Sequence, residues 1–547
     1  MLIKSSNYIQ NKNWQRVPGV MFLVTGLVYL IWLVMNLNYN NLFIALPFGL
    51  VQMLTYLIVG VSVINNWSSN YRKDRPQKNL MPDVGVIIPT YGETIQIIEP
   101  TILSLLNSNY EGKIVIVLSN DERSEKKEAQ LGMLEQRISN QLLGQNYKGE
   151  RIFYLRHSIP HNQAKAGNLN QAMEFIKWLH PEIDLLITED ADEVAYADFV
   201  DAVVGYFENP KVAYVQTIKQ SLTHPSDPFG NQDLMFYCRT AASRDACNSM
   251  FSCGSGVMWR IKALEDVGGF NTWNLVEDLT TSYEMLSRGW ESRFHYEPMS
   301  EGLAPEDLPN YIKQRGTWAI DTMRIFFWNN PLGKRGLTWR QKLQFLEPCL
   351  FYINGFVTTS MIIVASLSLL LEAWPTSANA WKHGLMMLPY FLAMEAYFLI
   401  LAGNISYYRV RQMWVGLAPV FVKAAIIALI YGPNKKPRYK VTRKQNQYSN
   451  YLYMVWPQIG LLGLLVAGLV KTILTTPLYS AFDWGAVFWS LYLASFLVQI
   501  IKISYWGWQP VYQVNVSMLD QKMLSRIKNG LTSIISEALP VQITKEE

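Results

Sequence analysis

LLITEDAD, residues 185–192, is a short apolar run that ends in three acids. A run of that length bounded by polar residues reads as a buried strand. Outward from it, residues 84–89, 114–118, 152–155 and 212–216 have the same character, and 95–106, 125–141 and 169–179 carry helical periodicity. Strand and helix in alternation predict an α/β domain with a mostly parallel sheet. Ligands of such sheets sit beyond the carboxyl ends of the strands. Those ends carry Glu93, Asp121 and the pair Asp190 and Asp192.

Two carboxylates one residue apart at a strand end can share a hard divalent cation that also holds phosphate oxygens. The plain alternative is an acidic, solvated turn. Further on, Glu277 and Asp278 open a helical pattern that runs to Gly289. Acids there complement the helix dipole; a functional reading makes Asp278 a general base that takes a proton from an attacking hydroxyl. Cys253-Gly254-Ser255-Gly256 supplies small residues where backbone can approach a ligand. No third glycine completes a dinucleotide fingerprint and no GxxxxGK is present, which argues against NAD and P-loop sites.

Only 17% of the 547 residues are charged and 50% are hydrophobic, against roughly 25% charged in average globular chains. The deficit is concentrated in six apolar stretches, near 17–37, 41–64, 346–371, 384–404, 451–474 and 483–503. Each reaches about the 20 residues that a spanning helix needs. The first is too long for a cleaved signal and runs almost directly into the second. Lys and Arg accumulate on the cytoplasmic side. Arg72, Lys73, Arg75 and Lys78 follow the second stretch, whereas the links after the first and fifth hold none. That asymmetry predicts a multi-pass protein of the inner or plasma membrane with its central domain and both termini in the cytosol. A further apolar stretch near 413–431 has basic residues on both sides and reads as an interfacial or re-entrant helix. The expected units are a membrane hairpin over 1–80, a cytosolic catalytic domain over 81–345, a channel region over 346–505 and a cytosolic tail over 506–547. A net charge of +5 is too mild to argue for nucleic acid. Cys238, Cys247, Cys253 and Cys349 stand at no zinc-like or disulfide-framework spacing, which predicts reduced thiols.

VIIPTYGE (86–93), SNDE (119–122), HNQAKAGNLN (161–170), EDAD (189–192), FSCGSG (251–256), VED (276–278) and QRGTW (314–318) follow one another in this order. The ordered set resembles the family 2 glycosyltransferases, and closely the catalytic subunits of bacterial cellulose synthases. RYKVTRK (438–444) is similar to the gating-loop motif FxVTxK of those subunits, with Tyr439 in the Phe position and Val441, Thr442, Arg443 and Lys444 completing it. Attraction to lipid headgroups is the competing reading of that basic loop.

The resemblance implies a GT-A fold inserted in a bundle of about six spans. It implies an inverting, Mg²⁺- or Mn²⁺-dependent transferase that extends a β-glucan from UDP-glucose and passes it through its own membrane helices. Carried over, Tyr91, Glu93 and Asp121 would line the uridine site, with Lys165, Gln314 and Arg315 on the nucleotide-sugar. Asp190 and Asp192 would hold the metal, and Asp278, with Glu277 beside it, would be the base. Cys253, Gly254 and Ser255 would form the donor and acceptor pocket, and Trp318 would stack on the acceptor sugar at the channel mouth. The plain reading of Trp318 is an interfacial anchor. Implied partners are the UDP-sugar, the growing polysaccharide, the lipid bilayer and accessory export subunits, with no nucleic acid.

The pattern departs from that family at three points. QxxRW has Thr317 in place of its Arg, so Arg315, Arg443 or Lys444 would have to supply the charge expected on the diphosphate. Val276 stands where Thr is usual. About 44 residues follow the last span, too few for a cyclic-di-GMP-binding PilZ domain. The linkage therefore stays open between cellulose and a β-1,3 or mixed product. A non-processive or lipid-directed transferase, or a synthase of another polysaccharide, is the alternative.

Overall fold

The computed structural model describes residues 13–76, 79, 81–159, 163–223, 227–230, 233–403, 405–436, 449–475 and 481–505. The gating-loop residues Tyr439, Val441, Thr442, Arg443 and Lys444 and the tail 506–547 lie outside that set.

The central domain is built on an eight-stranded sheet: β1 (Val84–Thr90), β2 (Ile114–Asn120), β3 (Arg151–His157), β4 (Leu185–Thr188), β5 (Glu193–Ala195), β6 (Val212–Leu222), β7 (Val257–Arg260) and β8 (Glu291–Leu303), in the order β3-β2-β1-β4-β7-β6-β8-β5. β1, β2, β3 and β4 pair in parallel, as their unbroken apolar runs require of strands covered on both faces. Val84, Val86 and Ile88 pack with Ile98, Ile102 and Leu131 from the helices Ile95–Leu106 and Glu125–Gly144. The alternate residue Ile87 packs with Leu169, Met173 and Ile176 from the helix Ala164–Leu179 on the opposite face.

The sheet is mixed, since β7 runs antiparallel to both β4 and β6, and β5 antiparallel to β8. The helix Ala164–Leu179 also begins earlier than its apolar periodicity shows, because Lys165 and Asn168 fill its first turn.

Among the described residues six helices are long and apolar enough to cross a membrane: Arg16–Met35, Tyr39–Asn65, Trp339–Leu371, Ala380–Ala402, Leu452–Thr475 and Gly485–Ser504. The first packs on the fourth and the second on the third, around Phe22, Tyr29, Val63 and Tyr397. Two shorter helices, Tyr407–Gly416 and Ala418–Tyr431, meet at a 49° bend. The amphipathic helix Leu308–Trp328 leaves the domain and lies on Ala418–Tyr431, joining the sheet domain to the bundle.

Candidate active site

The register of β1, β2 and β4 brings three strand ends to one rim, with Thr90 beside Asn120 and Thr188 beside Ile87. Glu93 folds back onto β1, where its Oε2 accepts from Thr90 Oγ1 and from the Tyr91 N–H, both at 2.9 Å. Tyr91 is left exposed on the rim. Asp121 accepts from Ser158 Oγ and lies 3.8 Å from Arg123.

The acids after β4 divide. Glu189 turns inward, fully buried, and accepts from the Gly256 N–H at 3.0 Å. Asp190 turns outward and carries two ammonium groups, Lys165 Nζ 2.7 Å from Oδ1 and Lys219 Nζ 3.4 Å from Oδ2. Lys165 also reaches Glu277 at 3.1 Å and the Gly254 carbonyl at 3.2 Å. Burial opposes the charge of both lysines. The surrounding carboxylates, Asp190 and Glu277 for one and Glu193 and Asp190 for the other, outweigh it and hold them above the usual ammonium range. The backbone that presents Lys165 is strained: Gln163 and Ala164 have φ of +66° and +62°, a left-handed conformation that costs a side-chain-bearing residue about 1–2 kcal/mol.

The FSCGSG loop closes the other side. Gly254 has φ of +81°, and a Cβ there would lie 3.1 Å from Asp278 Oδ2 and 3.3 Å from Lys165 Nζ. Glycine is thus required by conformation and by the closeness of two charged groups. The Cys253 N–H donates to Gln216 Oε1 at 2.7 Å. Burial pushes the Cys253 thiol up to about 12, so it is no thiolate nucleophile at neutral pH. Ser255 lies behind the rim, fully buried. Its hydroxyl accepts from the Asp190 N–H at 2.9 Å and donates to Glu193 Oε2 at 2.7 Å, which makes it a brace for the acidic turn, where the sequence suggested a pocket residue.

Asp278 opens the helix Asp278–Ser287. Burial, and then the Glu277 carboxylate beside it, push the Asp278 carboxyl up to about 7. The turn that carries it is fastened from the helix Leu308–Trp328, where Asp321 accepts from the Leu275 N–H at 3.0 Å and the Val276 N–H at 2.6 Å.

Gln314, Arg315 and Trp318 lie on that same helix. Arg315 forms a fork with Asp233 at 2.9 and 3.0 Å and stacks on Trp318, 4.6 Å from the ring centre, and on Tyr311 at 5.3 Å. Its charge is therefore already committed to Asp233. Thr317 Oγ donates to the Lys313 carbonyl at 2.9 Å and is likewise occupied.

Tyr91, Glu93, Asp121, Lys165, Asp190, Asp192, Cys253, Gly254, Glu277, Asp278, Gln314, Arg315 and Trp318 all line a single cavity of about 1590 Å³. Single-ligand pockets occupy roughly 300–1,000 Å³. The excess volume lies among the membrane helices, where the wall is formed by Thr55 and Ser62 of the second span, Phe351 and Met361 of the third, Phe391 of the fourth, Trp414 of the bent pair and Trp489 of the sixth. Lys219, Asp233 and Asp321 also face this cavity and are not marked by any sequence motif. The one signal was for Asp321, which stands at helical spacing from Gln314 and Trp318. Among the described residues no group of three or more His, Cys, Asp or Glu is arranged to hold a metal by itself.

Residues 82–320 match the family described as glycosyltransferase like family 2. Over those residues the chain is similar to that family. Its relatives include the cellulose synthase catalytic subunit [UDP-forming] of Xanthomonas axonopodis pv. citri (strain 306), 31% identical over 304 residues, covering 53% of this chain and 38% of the relative. Cellulose synthase 1 of Komagataeibacter xylinus is 30% identical over 304 residues, covering 53% of this chain and 18% of the relative. The catalytic subunit of Pseudomonas fluorescens (strain SBW25) is 27% identical over 371 residues, covering 62% and 46%. The chain thus spans less than half the length of these relatives. Among solved structures, a mannosyltransferase from Pyrobaculum calidifontis, in complex with GDP-Man and Mn²⁺, is 17% identical with a TM-score of 0.49, covering 69% of this chain and 97% of that one. The matched region is built on a mixed sheet, and among the described residues six helices are long and apolar enough to cross a membrane.

Proposed function

We propose that this protein is a membrane-embedded, processive, inverting glycosyltransferase that polymerises a β-glucan from UDP-glucose and passes the product through its own helices. The observation that carries the reading is the continuity of one cavity from Asp190 and Asp278 to Phe391 and Trp489. A transferase that releases each product to the cytosol has no use for a catalytic pocket that continues between spans. Cellulose synthases among the relatives support glucose as the sugar, and the basic residues after the second span support a cytosolic domain and termini.

In this reading the acceptor hydroxyl gives its proton to Asp278 as its oxygen attacks the anomeric carbon. The bond from that carbon to the diphosphate oxygen breaks on the opposite face, so the configuration inverts and UDP leaves. A carboxyl near 7 suits a base that works at neutral pH. Asp321 holds the turn that aims Asp278. Lys165 brings positive charge to the leaving group, and Trp318, stacked on Arg315, offers a flat face to the acceptor ring. The residues present fit a divalent cation: Asp190 already attracts two ammonium groups, and it and Asp192 are hard oxygen donors facing the cavity. Mg²⁺ or Mn²⁺ bound there would supply charge neutralisation for the departing diphosphate.

The test is incubation of the protein in lipid with radiolabelled UDP-glucose and Mg²⁺ or Mn²⁺, followed by linkage-specific glucanases. Polymer cut by a β-glucanase is expected, and which enzyme cuts it sets the linkage. A single-sugar lipid product would overturn the processive claim.

A further inference from the structure

We propose that Lys219 is a contact for the diphosphate of the nucleotide-sugar, a role that rests on the transferase reading above. A nucleoside diphosphate brings at least two negative charges into a cavity already rich in carboxylates. It needs cations that can turn toward it. Six line the described cavity: Lys165, Lys219, Arg244, Arg315, Arg411 and Lys436. Arg315 is forked onto Asp233, and Arg411 is paired with Glu395 among the membrane helices. Arg244 donates to the Gln344 carbonyl at 2.7 Å and faces Glu347 at 3.7 Å. Lys436 donates to the Thr272 carbonyl at 3.1 Å, and the carboxylates acting on it are Asp321 and Glu277. Of these six, Lys165 and Lys219 meet at Asp190, one on each oxygen.

The fold places Lys219 there deliberately. β6 and β8 pair in parallel with register slips at Val212/Tyr214, Thr217/Ile218 and Ile218/Lys219, and such irregularities re-aim the side chain that follows. Glu193, buried at the start of β5, pairs with the ammonium, and its other oxygen is held by Ser255 Oγ at 2.7 Å and Ser300 Oγ at 3.3 Å. The ammonium is thus held by a fixed carboxylate, Glu193, and also lies 3.4 Å from Asp190. Arriving phosphate oxygens can replace Asp190 as its partner without releasing Glu193. This supplies the charge that Thr317, with its hydroxyl bonded to Lys313, does not.

The experiment compares UDP with uridine as competitors of labelled UDP on the full-length protein in lipid with Mg²⁺. The variants are Lys219→Gln combined with Glu193→Gln, so that no lone charge is buried, and Lys219→Arg. In the double variant UDP affinity should fall about tenfold while uridine affinity holds within about twofold, and Lys219→Arg should recover most of the UDP affinity. Lys219→Ala, read the same way, serves if the double variant does not fold. An unchanged ratio of UDP to uridine affinity overturns the role, and so does an equal loss of both, which marks a merely structural lysine. A wild-type protein that binds no UDP overturns the transferase reading itself and this inference with it.

Discussion

At the strand rim the cavity is walled by carboxylates and ammonium groups 2.7–3.4 Å apart, whereas among the spans it is walled by rings, Phe391 against Trp489 at 4.9 Å and Tyr492 against Phe496 at 4.8 Å. The first wall is directional. Lys165, Asp190 and Ser255 are each fixed by a partner from another element, and the turn before Asp278 is fastened by Asp321, as a reaction with one productive geometry requires. The second wall is not. An aromatic face attracts a sugar ring at many positions along its plane, so in the proposed reading it would let a chain advance without a deep resting place. Where charge does enter the membrane wall it is neutralised: Arg411 pairs with Glu395 and lies over Tyr407, Tyr492 and Phe496. In the proposed reading, bond making and movement would be separated along one cavity, each with the wall it needs.

That separation is broken most severely by Asp278→Asn. Sugar transfer should fall by on the order of 10²–10⁴-fold with UDP affinity nearly intact, since the base acts on the acceptor; equal loss of transfer and UDP binding would refute its role. Asp192→Ala should come next, removing the metal-dependent part of UDP binding, and binding that persists in chelator would remove the metal assignment. At the membrane end, Trp489→Ala should shorten the polymer severalfold while the rate of the first transfer is little changed. A matching drop in first-transfer rate would show that the two walls are not separable. The pH profile sharpens the rim alone. Asp278 must be unprotonated to act, so kcat/KM should rise as pH increases through about 7 and level off above it. A rate that falls over that interval contradicts the base. Smallest of all, Thr317→Val should change UDP affinity by less than about twofold, because a hydroxyl returned to its own helix contributes little.

The rim was largely legible in the sequence because its residues follow apolar runs at strand ends, as Asp121 and Asp190 do. The mixed half of the sheet was not. β7 is only Val-Met-Trp-Arg, and β8, Glu-Ser-Arg-Phe-His-Tyr-Glu-Pro-Met-Ser-Glu-Gly-Leu, shows no alternation because its register slips along β6. Lys219, Asp233 and Asp321 were missed for a different reason. Each owes its place to a partner well removed in the chain, Asp190, Arg315 and Val276 respectively, and no local pattern records such pairings. The same holds for Ser255, which the resemblance placed in the donor and acceptor pocket but whose hydroxyl accepts from the Asp190 N–H.

The central claim is that catalysis and passage share one cavity, and it is tested most directly in sealed vesicles with the glycosyltransferase domain facing out. Radiolabelled UDP-glucose is added outside, and the polymer is then exposed to external glucanase with and without detergent. The account predicts that most of the label resists glucanase until detergent opens the vesicles, as polymer inside the lumen must. Polymer digested equally in sealed vesicles would mean that the product leaves on the side where it was made, and would contradict the account.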